Sequence, residues 1–151
     1  MKAQAKEKHF FQRQIQPNIC VLKNIQFDED ELEEYTKFIG RDLFTDAFID
    51  TLSQFEETDN FGSLIQPKLK ETQEIIEILK DKDLAGELFL SATHEKVLRV
   101  LKQADYLSPK YHVVVANPPY MGSKGMNQEL STWAKENYPD SKSDLFAMFM
   151  E

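Results

Sequence analysis

Cysteine and histidine are scarce in this chain of 151 residues. Cys20 is the single cysteine, so the chain has no internal disulfide, and a cysteine-based zinc site would lack its other ligands. The three histidines, His9, His94 and His112, show no metal-ligand spacing with one another. We therefore expect no metal site. The low cysteine content is typical of a protein of the reducing cytoplasm.

Basic residues and long apolar runs are also few. The chain has 18 Lys and Arg against 26 Asp and Glu, a net charge of -8. A nucleic-acid-binding domain that works alone draws most of its affinity from clustered basic side chains, so any such role here needs basic surface from elsewhere. No apolar stretch approaches the roughly 18 to 20 residues that cross a bilayer, and the N-terminus has no apolar signal segment. We expect a soluble, cytoplasmic protein without a membrane partner.

The apolar patterns predict an α/β chain with a helical middle, in one domain of three parts. Residues 1–22 are typical of the tail of a helix, Lys2–Gln14, and a short buried strand, Ile19–Leu22. Residues 23–109 predict a mainly helical insertion. Residues 110–151 predict a buried strand, a loop and two more helices.

Helix signals recur along the insertion and after it. Asp28 and Glu31 have the spacing of a capping box, and Gly40 is a suitable helix end. Further helices are predicted to begin at Asp42, at Pro67, at Leu88, at Gln128 and at Ser143. The helix that begins at Gln128 is predicted to end at Asn137. A stripe of Phe and Leu between Phe44 and Phe55 is predicted to be core.

A stiff corner follows the second predicted strand, Val113–Ala116. Its residues are Asn117, Pro118, Pro119 and Tyr120, at the edge where open α/β sheets hold their ligands. The two prolines restrict the backbone and have no N–H to donate, so the backbone carbonyls remain as acceptors. The corner therefore offers acceptor oxygens in a set direction beside an aromatic ring.

This corner suits an amine attached to a planar ring. The Asn117 side-chain oxygen and the Pro118 carbonyl can accept the two amine hydrogens and stabilise the positive charge that develops as the nitrogen attacks a methyl sulfonium. Tyr120 can stack on the ring. A nucleobase in duplex DNA must first be flipped out. We predict Asn117, Pro118, Pro119 and Tyr120 as the catalytic residues.

Four segments of the chain carry a family resemblance. They are QPNICVL (16–22), QFEETDNFGSLI (54–65), YHVVVANPPYMGSKGMN (111–127) and YPDSKSDLFAMFME (138–151). Together they resemble the amino-group DNA methyltransferases, most closely the adenine-specific, PglX-like enzymes of BREX phage-defence systems. The tetrapeptide NPPY alone is only moderately specific, since it also occurs in methyltransferases that act on protein glutamine, RNA or small molecules.

The resemblance implies a partial, Rossmann-like methyltransferase sheet with a helical insertion. It implies methyl transfer from S-adenosylmethionine to the N6 of adenine in DNA, for phage defence or restriction-modification, with DNA and other defence proteins as partners. The catalytic motif of the family falls on residues 117–120. A motif that lines the cofactor and target-base pocket falls on Asp144, Leu145 and Phe146, with Phe149 one turn on.

The chain also departs from the family pattern. It lacks the glycine-rich loop that holds the cofactor, so we expect an internal piece of a larger enzyme that is inactive and binds cofactor weakly by itself. Two alternatives stay open: an amino methyltransferase that acts on protein glutamine or RNA, and a non-catalytic remnant or interaction fragment. Phe61 either approaches the active face or anchors its loop.

Overall fold

The computed structural model describes residues 17–40, 43, 45–84 and 87–151. The predicted helix Lys2–Gln14 lies outside these residues. The helices are α1 (Glu29–Ile39), α2 (Asp46–Gln54), α3 (Thr58–Phe61), α4 (Thr72–Lys80), α5 (Leu88–Leu107), α6 (Gln128–Asn137) and α7 (Leu145–Met148), with a 3-10 turn, Gly62–Leu64, directly after α3. Within the described residues no helix combines the length and the apolar character that a membrane span requires.

The bounds of α1 and α6 confirm the predicted helices, because the capping residues act locally. The backbone N–H of Asp28 donates to the Glu31 carboxylate (3.4 Å). At the other end of α1, Gly40 adopts φ +100° and its N–H donates to the Thr36 carbonyl (3.1 Å). The side chain of Asn127 accepts from the Leu130 N–H (2.8 Å) and so starts α6 at the predicted residue.

Three helices begin later than predicted, and one of them is α7, which begins at Leu145 instead of at Ser143. Helix α2 begins at Asp46 because the Thr45 hydroxyl accepts from the Phe48 N–H (3.2 Å) and caps it; Asp42 lies outside the described residues. Pro67 is not in the first turn of α4, which begins at Thr72. The chain after Pro67 is held first by a long-range bond from the Leu69 N–H to the Thr51 hydroxyl (3.0 Å).

Two clusters of buried side chains hold these helices. The main core surrounds α5, which packs on α1, α2 and α4. Its largest fully buried members include Tyr35, Phe48, Leu52, Phe55, Val97 and Leu101. The small core joins the 3-10 turn to α6 and α7, and consists of Leu64, Leu130, Ala134, Tyr138, Leu145 and Met148. Phe61 packs against both cores.

The predicted strand Ile19–Leu22 is not formed in the described residues. This part of the chain runs beside α5 and α3 instead: Tyr106 donates to the Asn18 side chain, and the Asn24 side chain accepts from Thr58 (2.8 Å). Its backbone has no ladder partner among the described residues. An apolar run becomes a strand only when a second strand lies beside it, and here its neighbours are helices.

The predicted strand Val113–Ala116 is likewise not formed in the described residues, so the α/β sheet expected from the sequence is not observed there. The three valines are exposed, Val115 by 93%. The one β-type pairing in this part of the structure is an isolated antiparallel bridge between Gly122 and Asp144. The β-branched pattern is therefore present without the hydrogen-bonding neighbours that a sheet requires.

Candidate active site

The two predicted motifs, residues 117–120 and residues 144–146, lie side by side. The backbone just after the first motif forms hydrogen bonds with the backbone of residues 143–145. The Leu145 N–H donates to the Met121 carbonyl and the Ser123 N–H donates to the Ser143 carbonyl, both at 2.9 Å. The Gly122–Asp144 bridge lies between these bonds. The pairing brings the Asn117–Tyr120 corner next to the Asp144–Phe146 segment.

An aromatic platform forms where the motifs meet. The rings of Tyr120 and Phe146 are stacked, with centroids 5.8 Å apart and planes 20° from parallel. Tyr120 is 85% exposed and Phe146 39% exposed. Offset stacking at this distance is favourable between aromatic rings. The pair therefore presents ring surface to a planar molecule in the solvent.

The other residues of the second motif support this platform. The Asp144 carboxylate accepts from the Phe146 N–H (2.9 Å) and caps α7. Leu145 is buried in the small core. Of the three residues predicted to bind cofactor, Phe146 thus presents a ring to solvent, while Asp144 and Leu145 hold that ring in place.

The polar part of the corner is open to a ligand. Asn117 is exposed, and among the described residues its side-chain amide has no hydrogen-bond partner. Pro118 is buried, whereas Pro119 is exposed. A free amide on a backbone that two prolines stiffen is suited to recognise a group that brings its own hydrogen-bond donors.

An open cleft of about 850 Å³ lies beside the corner. Asn117, Pro118 and Pro119 line it together with the end of α5 and with the segment Leu64–Gln66, which we call the 64–66 wall. Its volume is within the range of small-molecule sites, roughly 300 to 1,000 Å³. Three tyrosines also line it, namely Tyr106, Tyr111 and Tyr138.

Tyr138 is a site residue that the sequence analysis did not single out. Its hydroxyl donates to the Leu64 carbonyl (2.7 Å) and accepts from the Gln66 side chain (3.2 Å). Burial raises the pKa of Tyr138. A signal was available, because Tyr138 begins the YPDSKSDLFAMFME segment; nothing in the sequence showed that it contacts residues far away in the chain.

Phe61 anchors its loop. Its ring stacks on Trp133 of α6, with centroids 4.4 Å apart and planes 11° from parallel. Beside it, the Asn60 side chain donates to Glu57 (2.7 Å) and Glu129 (2.9 Å) and accepts from Asn127 (2.8 Å). The DNFGSLI segment is thus fixed against α6, and Phe61 is not among the residues that line the cleft.

The described residues contain no group of three or more His, Cys, Asp or Glu side chains placed to hold a metal ion. His94 is buried against Tyr35, while His112 is exposed. His9 lies outside the described residues.

Comparisons with known proteins agree on one family. The family model described as the Eco57I restriction-modification methylase matches residues 43–151. An adenine-specific methyltransferase BrxX of Escherichia coli O9:H4 (strain HS) is 43% identical over 104 residues, 67% of this chain and 9% of that protein. An adenine-specific methyltransferase PglX of Lacticaseibacillus casei (strain Zhang) is 30% identical over 158 aligned positions, 100% of this chain and 13% of that protein.

The chain thus spans about a tenth of the length of the curated relatives it matches. The matched region includes the NPPY corner, the 64–66 wall and the Asp144–Phe146 segment. The chain therefore belongs to the Eco57I restriction-modification methylase family, and within it to the PglX-like methyltransferases that the sequence motifs indicated.

Proposed function

We propose that the protein that carries this chain transfers a methyl group from S-adenosylmethionine to the N6 of adenine in DNA, in host defence or restriction-modification. The relatives are named as adenine-specific methyltransferases. The observation that carries the proposal for this chain is the meeting of two distant motifs: the Tyr120–Phe146 stack lies next to an unengaged Asn117 amide. DNA is the proposed substrate, and other defence proteins are the proposed partners.

The corner residues act on the amine that receives the methyl group. The Asn117 side-chain oxygen and the Pro118 carbonyl accept the two amine hydrogens, which favours a pyramidal nitrogen and stabilises its developing positive charge. Tyr120 stacks on the flipped-out adenine and holds it in line, with Phe146 behind its ring. No side chain has to act as a strong base, because the nitrogen loses its extra proton after it has become positively charged.

The described residues do not by themselves form a site for the cofactor. S-adenosylmethionine would supply the methyl sulfonium, and Phe146 offers one ring surface near the corner. The Asp144 carboxylate already caps α7, and Leu145 is buried. The sequence has no glycine-rich loop to hold the methionine part. We therefore assign to this chain the residues that hold the amine that receives the methyl group. We assign to it no step that involves the methyl donor.

In this proposal, Val113–Ala116 is the strand that this chain contributes to a methyltransferase sheet. These residues are exposed and carry the β-branched pattern of a central strand. Pairing with strands of the protein outside the described residues would cover the valines. It would also set the corner at the edge of the sheet, where such folds place their ligands.

The Asn117→Ala variant tests the role of the corner in the protein at its natural length. We expect DNA methylation to fall by about 10²- to 10³-fold in kcat, as when one pre-organised hydrogen-bond partner is removed from a transition state. The melting temperature should not change, since the Asn117 amide makes no bond within the described structure. Incorporation of a labelled methyl group into DNA, followed by nucleoside mass spectrometry, measures both rate and product.

Asn137→Ala is the matched control. Asn137 is also exposed, and among the described residues its side chain bonds only to the Trp133 carbonyl within α6 (2.9 Å), so the rate should be retained. Full turnover by Asn117→Ala would refute the assigned role. Methyl transfer by the wild-type protein to RNA or to protein glutamine, and not to DNA, would replace the proposed substrate.

A further inference from the structure

We propose that Tyr138 is a positioning residue of the methylation site, because its hydroxyl holds the 64–66 wall of the cleft that Asn117, Pro118 and Pro119 also line. The inference rests on the function proposed above. It adds a residue that acts on the site through the backbone of another segment.

The hydroxyl of Tyr138 is used twice, and both bonds end on the wall. It donates to the Leu64 carbonyl (2.7 Å) and accepts from the Gln66 side chain (3.2 Å). Tyr138 is almost completely buried. Burial raises the pKa of Tyr138, while the bond from Gln66 lowers it and the charge of Glu151 adds to the rise. The hydroxyl thus remains a donor through neutral and mildly alkaline pH.

The anchor of this hydroxyl is rigid. The backbone N–H of Tyr138 donates to the Ala134 carbonyl at the end of α6 (2.9 Å). The ring contacts Trp133, with centroids 5.5 Å apart. Helix α6 is in turn fixed to Asn60 and Phe61, just before the wall. Both sides of the Tyr138–Leu64 bond are therefore tied to the same small core.

The exposed side of the wall is held by different hydrogen bonds, which involve the Gln54 side chain. The Gln54 side chain donates to the Gln66 carbonyl (2.9 Å) and accepts from the Lys68 N–H (3.2 Å). Without the Tyr138 hydroxyl the hydrogen bonds of Gln54 remain, but the buried Leu64 carbonyl loses the hydrogen bond that Tyr138 donates. We expect the wall to shift or fluctuate toward the cleft, while the fold as a whole is kept.

The test is Tyr138→Phe in the protein at its natural length, with DNA and S-adenosylmethionine as substrates. A displacement of about 1 Å in a positioning element can cost up to 10²-fold in rate, so we expect kcat to fall by about 10- to 100-fold. The KM for S-adenosylmethionine should stay within about twofold, because the wall is argued to align the reaction rather than to bind the cofactor. Hydrogen exchange in a peptide that covers residues 62–68 should become faster.

Tyr35→Phe is the matched control. It removes a buried tyrosine hydroxyl with a bond of the same length, 2.7 Å to His94, from the main core. The two variants should lose similar stability, but Tyr35→Phe should keep its kcat and its exchange rate at 62–68. Equal falls in kcat for both variants would show a general loss of stability and would overturn the proposal.

The outcomes separate this inference from the proposed function. If the wild-type protein methylates adenine in DNA and Tyr138→Phe has an unchanged kcat or unchanged exchange at 62–68, the positioning role alone is refuted. If the wild-type protein does not methylate DNA, both proposals fail. Should Tyr138→Phe not fold, Gln66→Met removes only the second bond; a smaller fall in kcat is expected, and no fall would refute the role.

Discussion

Phe146 is the residue through which two distant parts of the chain form one surface. Its backbone N–H is held by the Asp144 carboxylate, and its ring lies against Tyr120. The residue before it, Leu145, is buried and bonded to the Met121 carbonyl, so the direction of the ring is set from both sides. The surface is thus completed by an aromatic side chain that uses no polar atom of its own.

We predict that Phe146→Ala weakens methylation without abolishing it. Loss of an aromatic partner costs about 0.5 to 1.5 kcal/mol, so kcat/KM for DNA should fall by roughly two- to tenfold. The fall should be smaller than for Asn117→Ala, because the amide and carbonyl acceptors remain. Initial rates at low DNA concentration measure it.

Phe38→Ala is the control for this variant. Phe38 on α1 is 41% exposed, against 39% for Phe146, so a similar ring area is removed. It lies on α1, outside the candidate site, and kcat/KM should not change. A similar loss in both variants would indicate that the platform has no specific role.

At the scale of elements, the turn after α3 directs the chain into the cleft wall. Gly62 ends α3 with φ +55° and ψ -137°, a backbone conformation that is almost restricted to glycine. A methyl group at this position would meet no heavy atom within 4 Å. Any penalty for a side chain here is therefore conformational and not steric crowding.

We predict that Gly62→Ala lowers the free energy of unfolding by about 1 to 3 kcal/mol, the cost of holding an alanine in such a region. Gly122→Ala is the control: its added methyl would lie 3.7 Å from the Ser143 carbonyl, an ordinary contact, and the structure records no positive φ there. Urea unfolding of the two variants measures the difference. Equal stabilities would show that Gly62 is not required for the turn.

The bounds of the elements show which signals are local. Helices α1 and α6 follow the sequence prediction, since Asp28, Gly40 and Asn127 act within one helical turn. The start of α4 does not, because Leu69 is held by Thr51 from another helix. Neither predicted strand is formed in the described residues, because no other described segment forms a ladder of backbone hydrogen bonds with either of them.

At the scale of the whole molecule, α1 and α5 are joined by a buried polar set. The Tyr35 hydroxyl and His94 Nδ1 are 2.7 Å apart. Next to them the Glu31 carboxylate accepts from Thr93 (2.7 Å) and Lys96 (2.8 Å). Burial opposes the charge of Glu31, but the bonds from Lys96, Thr93 and the Asp28 backbone outweigh it and lower its pKa.

We predict that stability falls on mild acidification because of His94. Burial lowers the pKa of His94 below 6.5, against a smaller opposing effect of Glu95. The unfolded chain therefore takes up the proton at a higher pH than the folded chain, so the stabilisation is present above about pH 6.5 and is lost as the pH falls toward the folded value. The free energy of unfolding should therefore be lower at pH 5.5 than at pH 7.5.

Thermal or urea unfolding across this range measures the effect, and two variants assign it. His94→Gln should flatten the dependence, whereas His112→Gln, which changes an exposed histidine, should not. The Glu31 carboxylate does not contribute to the change in stability between pH 7.5 and pH 5.5. Its pKa is lowered from 4.5, so the stability that it provides is lost only at a lower pH. If the stability of the His94→Gln variant still falls between pH 7.5 and pH 5.5, His94 is not the cause of the pH dependence.

The sequence by itself determined the family, the NPPY corner and most of the helices. These are properties of residue type and near neighbours, and a helix closes its hydrogen bonds within itself. Only the tertiary structure decided that Tyr120 meets Phe146, that Tyr138 holds the 64–66 wall, and that Phe61 stacks on Trp133. Each of these contacts joins residues far apart in the chain, and no local pattern specifies which distant partner a ring or hydroxyl will find. The same reason separates the helices from the strands, since the backbone groups of Val113–Ala116 form a strand only when another segment lies beside them.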